Sequence, residues 1–289
     1  MYTLHHMRKV LLWTFSGGLL LAANLATAQP VAMPLDSETG PPMPLNDIVE
    51  RRTVVEKHTL DYPPLRESDI LWEKRVWRVI DVREKMNHTF VNPEAPLFSL
   101  LGKAAKDGDL PLYTSEKFTE RLDGDQILAL LSKTDTVVRF DPVTYKEEVV
   151  IVHNDINWED VKRYRVLESW YFDARTSQLR VRILGIAPLY TSRDNNGNFR
   201  FEIPLFWMHY PSSRPLLAQW QAHTHGNNWS ATTTWEDMLE MRYFASYVSK
   251  ENNLYDRRLE DYLSGPDLLF ASKNIEDDLF NREHDFWQQ

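Results

Sequence analysis

Cysteine is absent from the 289 residues, and that absence closes several routes at once. No disulfide can staple the fold, no thiolate can act as nucleophile, and no lipobox cysteine can carry a lipid. A G-x-S-x-G elbow, a glycine-rich phosphate loop and an H-E-x-x-H zinc helix are also missing. The chain therefore lacks the sequence marks of a serine hydrolase, a nucleotide-binding enzyme or a zinc protease. Beyond the first thirty residues no apolar run is long enough to cross a bilayer. An excess of basic residues is missing too. Asp and Glu outnumber Lys and Arg by 42 to 33, a formal net charge of −9, which argues against nucleic acid or anionic lipid as the main partner. Stability has to come from a packed core.

The N-terminus reads as a secretory signal peptide. Arg8 and Lys9 form a short basic region, Val10 to Ala23 is apolar apart from Ser16, Gly17 and Gly18, and Ala26-Thr27-Ala28 is an A-x-A cleavage site before Gln29. Asn24 interrupts the run, which tells against a retained anchor. Removal of residues 1–28 leaves 261 residues and moves the formal charge to −11. Residues 29–64 follow as a proline-rich extended arm, with Pro30, Pro34, Pro41, Pro42, Pro44, Pro63 and Pro64 favouring extended backbone. Residues 65–263 read as one folded α+β domain, and 264–289 as an acidic tail.

Within that domain "SDILWEKRVWRVIDVREKMN" predicts a helix. Ser68 is its N-cap, Trp72, Val76, Val79, Ile80 and Met86 are at helical spacing, and Asp81 and Lys85 form an i,i+4 pair. Leu97–Lys106 predicts a second helix, stopped at Asp107-Gly108, and Asp123–Leu131 a third. The period then changes to two. "TVVRFDP" and "YKEEVVIVHN" predict a hairpin turning at Asp141-Pro142, and "YRVLESWYF", "QLRVRILGIAPLY" and "FRFEIPLFWMHY" predict an antiparallel meander with one buried and one wet face. Asn196-Gly197 marks the turn between the last two. Helix returns at Thr234-Trp-Glu-Asp237, running to about Phe244. "SYVSKENN" predicts a short strand, and Asp256–Leu263 a helix ended by Gly265-Pro266. Helices, then an antiparallel sheet, then helices give an α+β fold.

Three histidines raise the question of metal chemistry. His209, His223 and His225 are enough side chains for a catalytic zinc site, and a periplasmic metal-dependent hydrolase is one alternative function. Against it, no zinc-ligand spacing surrounds them, no acid follows His223 or His225 as a local base, and His225-Gly226-Asn227-Asn228 reads as a polar turn. The stretch from His209 predicts a strand end, a turn at Pro211-Ser-Ser and a short helix near Leu216 to Trp220. Ten tryptophans open a second alternative, a glycan-binding module stacking sugars on exposed indoles, although cores and protein interfaces use the same residue. Glu147-Glu148 and Glu276-Asp277-Asp278 read as solvated faces. Asn87-His88-Thr89 and Asn228-Trp229-Ser230 match glycosylation triplets that arise easily by chance.

Two long stretches, "ILWEKRVWRVIDVREKMNHTFVNP" (70–93) and "MRYFASYVSKENNLYDRRLEDY" (241–262), occur with "ILGIAP" (183–188) and "FWMHYPSSR" (206–214) between them. In this order the chain resembles the GldN/PorN family of gliding-motility and type IX secretion proteins. The resemblance implies a non-enzymatic periplasmic scaffold with no catalytic residues, cofactor or metal. It also implies assembly into a ring under the outer membrane with a GldK/PorK-like lipoprotein, contacts between copies of itself, and contact with a GldM/PorM-like subunit. Interface or structural candidates are Trp72, Arg75, Trp77, Arg78, Asp81, Arg83 and Glu84 in the first stretch. Tyr210 and Arg214 follow in the fourth, and Arg242, Lys250, Asn252, Asn253, Tyr255, Arg257, Asp261 and Tyr262 in the second. Arg and Trp are enriched at interfaces, but a buried face uses them as well. The Asn252-Asn253 step is expected to make a turn held by side-chain bonds to the backbone.

Overall fold

Strand β1, Ile70–Asp81, stands where the spacing predicted a helix. In this computed structural model, which describes residues 53–140, 147–193, 199–223 and 232–287, it is the second strand from one edge of the main sheet. From Val76 to Asp81 every residue is buried. Both faces of the strand are covered there, so apolar and charged residues fall on both phases and the two-residue period is hidden. Trp72, Val76, Val79 and Ile80 meet helical spacing by coincidence. Ser68 belongs to a short 3-10 turn, Glu67–Asp69, and Asp81 bonds Arg83 instead of pairing with Lys85. The signal peptide, the arm up to residue 52, the two expected turns at Asp141-Pro142 and Asn196-Gly197, Asn228-Trp229-Ser230 and His225 lie outside the described residues.

The remaining elements largely follow the sequence. Helix α1, Leu97–Asp107, stops on Gly108, whose φ of 81° is the left-handed conformation that ends a helix cheaply only at glycine. After β2, Leu112–Tyr113, comes α2, Gly124–Leu131, where the Gln126 side chain accepts the Asp123 amide at 3.0 Å. Strands β3, Ser132–Phe140, and β4, Glu147–Asp155, pair as the expected hairpin, a two-stranded sheet of their own. Next come β5, Val161–Asp173, β6, Gln178–Arg193, β7, Phe199–Pro204, and β8, Trp207–His209. Helix α3 spans Tyr210–Leu217, starting well before the point read from sequence and taking in the expected turn, with Pro211 in its first turn, where a missing N–H costs nothing. Helix α4, Trp235–Glu240, opens on the expected Thr234 cap: Thr234 Oγ1 accepts the Asp237 amide at 3.2 Å and Asp237 accepts the Thr234 amide at 2.9 Å. Strand β9 is Tyr247–Glu251.

The C-terminal end differs from expectation. Only a 3-10 turn, Leu259–Asp261, forms in the segment predicted as helix, and Gly265-Pro266 opens a helix instead of closing one. Helix α5, Pro266–Trp287, occupies the acidic tail. Apolar residues alternate with its charges, and Ser272, Ile275 and Leu279 share a face and are buried. Covering Ile275 and Leu279 contributes roughly 1.5–3 kcal/mol each.

All pairings in the main sheet are antiparallel. Its order is β2-β8-β6-β5-β1-β9, with β7 also on β6. The α+β reading holds. The expected meander survives as β5-β6-β7, and β1 inserts between β5 and β9. One sheet face carries the main core, where Ile80, Tyr164, Val166, Ile186 and Met208 join Phe90, Leu97, Leu101, Tyr210 and Trp235. On the same face Val76 and Val248 meet Leu259, Ile275 and Leu279. The opposite face holds a smaller cluster of Trp77, Leu167, Ala187 and Trp207.

Candidate interaction surface

The smaller face is where charge gathers. Trp77 donates from Nε1 to Glu116 at 2.8 Å, and the Lys250 ammonium sits 4.1 Å from the Trp77 ring centre. Lys250 also pairs with Glu116 at 3.4 Å and Asp256 at 2.5 Å. These groups line a cleft of about 360 Å³ under the loops that follow β2 and β9. Its floor includes Arg165 of β5, in register with Val79 on β1 and Ala187 on β6. Beside the cleft, Phe118 lies edge-on to Tyr113, Trp207 and His209, with centroids 5.5, 6.4 and 5.2 Å away. A β-carbon at Gly185 would come within 2.5 Å of that ring, so the glycine of "ILGIAP" gives Phe118 its seat.

The β1 candidates divide by burial. Trp72 packs into the α5 cluster under Arg282, whose guanidinium is 5.6 Å from its ring centre. Buried Arg78 donates from Nε to Ser246 Oγ at 2.8 Å and pairs with Glu276, so Glu276 is a partner in the fold and not a solvated charge. Burial pushes the Asp81 carboxyl up, and hydrogen bonds from Arg83 (2.8 Å from Nε) and Arg163 (3.3 Å) outweigh it, holding the group at about 2. Arg75, Arg83 and Glu84 are exposed. Arg242, at a left-handed φ of 54°, reaches the fully buried Glu168, which also accepts Trp170 Nε1 at 2.9 Å.

Arg214 anchors the end of the arm. Arg214 donates to Glu236 at 2.7 and 3.1 Å, both side chains being about nine-tenths buried. Its guanidinium lies 4.1 Å from the Tyr62 ring centre, and Arg182 lies 4.7 Å from the same ring. Tyr62 is thus gripped by two cations and donates to Glu240 at 2.5 Å. Arg182 donates to the Pro63 carbonyl at 3.0 Å, and Lys57 pairs with Asp237. The described end of the arm therefore lies along its own fold. Buried Tyr210 has a phenol pushed upward by desolvation, then by the Glu240 charge.

In the C-terminal set, Asn253 closes its loop as expected, donating to the carbonyls of Glu251 and Arg257 and accepting the Arg257 amide at 2.9 Å. The Asn252 amide donates to the Arg75 carbonyl at 3.0 Å. Asp261 accepts the Arg258 amide at 2.7 Å. Tyr255, Arg257 and Tyr262 are exposed, with Arg257 4.9 Å from the Tyr255 ring centre. His209 contacts Ser212 at 3.0 Å through Nδ1, and burial lowers its pKa. His223 lies 3.9 Å from Glu94. Among the described residues no group of three His, Asp or Glu converges as a metal site. No described tryptophan side chain is exposed to serve as a sugar platform. Asn87 is fully buried, donating to the carbonyls of Asp81 and Ala245.

The family description "Gliding motility associated protein GldN" matches residues 65–288. The chain belongs to the GldN family. Membership makes it a component of gliding-motility and type IX secretion machinery, in a family of structural proteins. No curated protein matches the chain. The GldN match runs through α5, so the acidic end is part of the family's fold. No helix among the described residues is long and apolar enough to cross a membrane.

Two apolar rows on this GldN chain were misread or missed in the sequence. Phe199, Phe201 and Ile203 do alternate along β7, but their side is the exposed one. On α5, Leu269, Phe270 and Phe280 are exposed. The rows lie towards opposite edges of the sheet, since β7 flanks β6 while α5 packs on β9. Glu116, Phe118, Arg165, Glu168 and Tyr62 were missed as well. Their only sequence signal is a charge or ring in an otherwise ordinary phase.

Proposed function

We propose that this chain is a non-enzymatic periplasmic scaffold subunit, exported by a cleavable signal peptide. It assembles with an outer-membrane lipoprotein of the GldK/PorK kind into a ring of the type IX secretion and gliding machinery, and contacts a GldM/PorM-like subunit. The GldN match over residues 65–288 carries this reading. The two apolar rows support it physically. A closed ring needs a heterologous contact, one patch meeting a different patch on the next subunit. The β7 row and the α5 row are two such patches on separate elements. The exposure of Tyr255, Arg257 and Tyr262 supports a partner contact there, and the buried candidates are assigned to holding the subunit together.

Pulling the tagged full-length chain from cross-linked envelopes tests this. An outer-membrane lipoprotein and higher-order copies of the chain are expected in the eluate. Phe201→Asp and Phe280→Asp should each abolish the higher-order species and leave a folded monomer. Recovery of neither lipoprotein nor oligomer would overturn the proposal.

A further inference from the structure

Among the described residues Arg165 is the buried charge with the least visible compensation. It sits near the middle of the sheet with 7 % of its surface exposed, and its Nε is buried with no hydrogen-bond partner. Among the described residues its guanidinium forms no ion pair. Every other buried arginine in the described fold is matched: Arg78 to Glu276 and Arg214 to Glu236. An unpaired buried charge is among the costliest groups a fold can keep. Burial, then the nearby Arg258, disfavours its protonated form, and the more weakly acting carboxylates of Glu116, Glu260 and Glu202 offset this only in part.

Arg165 lines the cleft described above. Its charged lining is Lys117, Arg165, Lys250 and Arg258 against Glu116 and Asp256, a positive excess of two on a chain whose net charge is −9. Lys250 is already engaged by both carboxylates. Arg165 is left at the floor with Lys117 and Arg258 beside it. Trp77 and Trp207 form apolar walls. The volume lies at the small end of ligand clefts, about 300–1,000 Å³.

We propose that this cleft receives a single carboxylate from a partner polypeptide, seated on the Arg165 guanidinium with an adjoining aromatic or apolar residue against the indoles. The planar fork of arginine matches a carboxylate through two parallel hydrogen bonds, and desolvation strengthens them. Glu116 and Asp256 oppose a multiply charged phosphate, which favours the singly charged group. The site extends the scaffold reading by giving one docking contact a chemistry. Its test uses the isolated protein, so it succeeds or fails whether or not a lipoprotein is recovered from envelopes.

The test is calorimetric titration of the mature chain with acetyl-Phe-Glu-Phe-amide, acetyl-Phe-Gln-Phe-amide and inorganic phosphate. The Glu peptide is expected to bind, and the Gln peptide at least tenfold more weakly. Arg165→Met should abolish Glu-peptide binding while raising the thermal midpoint, because it removes an uncompensated buried charge. A purely structural arginine would give a lower midpoint instead. Arg258→Ala, on the exposed rim, should weaken binding several-fold with no change in midpoint, and serves if the Met variant misfolds. No heat from the Glu peptide at millimolar concentration, equal binding of both peptides, or binding of phosphate alone would each overturn the proposal.

Discussion

Gly185 and Phe118 are a matched pair of residues. The ring stands where a side chain on β6 would be, and Phe118 adopts a left-handed φ of 53° to put it there. Gly185→Ala should therefore cost about 1–3 kcal/mol through overpacking, read as a lower urea midpoint. Asp81 gives a prediction in pH. Its folded pKa of about 2 lies below the ordinary carboxylate value, so its contribution is present above about pH 4 and lost as pH falls from 4 to 2. Asp81→Asn should cost on the order of 1–2 kcal/mol at pH 6, allowing for the exposure of Arg83, and almost nothing at pH 2. Urea titrations at the two pH values check this. Some of these roles were legible. Asn253 reads as a backbone-bonding turn residue from its type and place alone. Arg165 and Glu168 do not, because a charge on a strand looks solvated until the loop that covers it is known.

At the scale of elements, periodicity reads well wherever one face is wet. Helices α1 and α2, the β3–β4 hairpin and strand β9 fall where the sequence puts them. It fails at β1, where both faces are covered, and at β7, where the period is right but the covered side is not. It fails again at Gly265-Pro266, since the same dipeptide can stop one helix or start the next. The arm belongs to this scale too. Tyr62 ties it to α3 and β6 through two guanidinium faces, worth about 0.5–2 kcal/mol each. Tyr62→Ala should speed tryptic cleavage after Lys57 several-fold and leave the thermal midpoint of the domain nearly unchanged. Unaltered cleavage would mean that Lys57 and the proline carbonyls hold the arm without the ring.

The whole molecule is organised around a strand from its N-terminal part. β1 pairs with β5 through Asp81↔Arg163 and with β9 through Val76↔Glu251. A chain made or threaded from its N-terminus meets these partners in that order. Until β5 arrives β1 has two bare edges, and one stays open until Tyr247–Glu251 follows. Non-local pairings of this kind are slow to form, because long loops must close before any contact rewards them. The sheet therefore cannot lock early. Under the export proposed above, such a delay would suit passage of the unfolded chain through a narrow channel, and the exposed strand would call for cover until the far end of the domain follows.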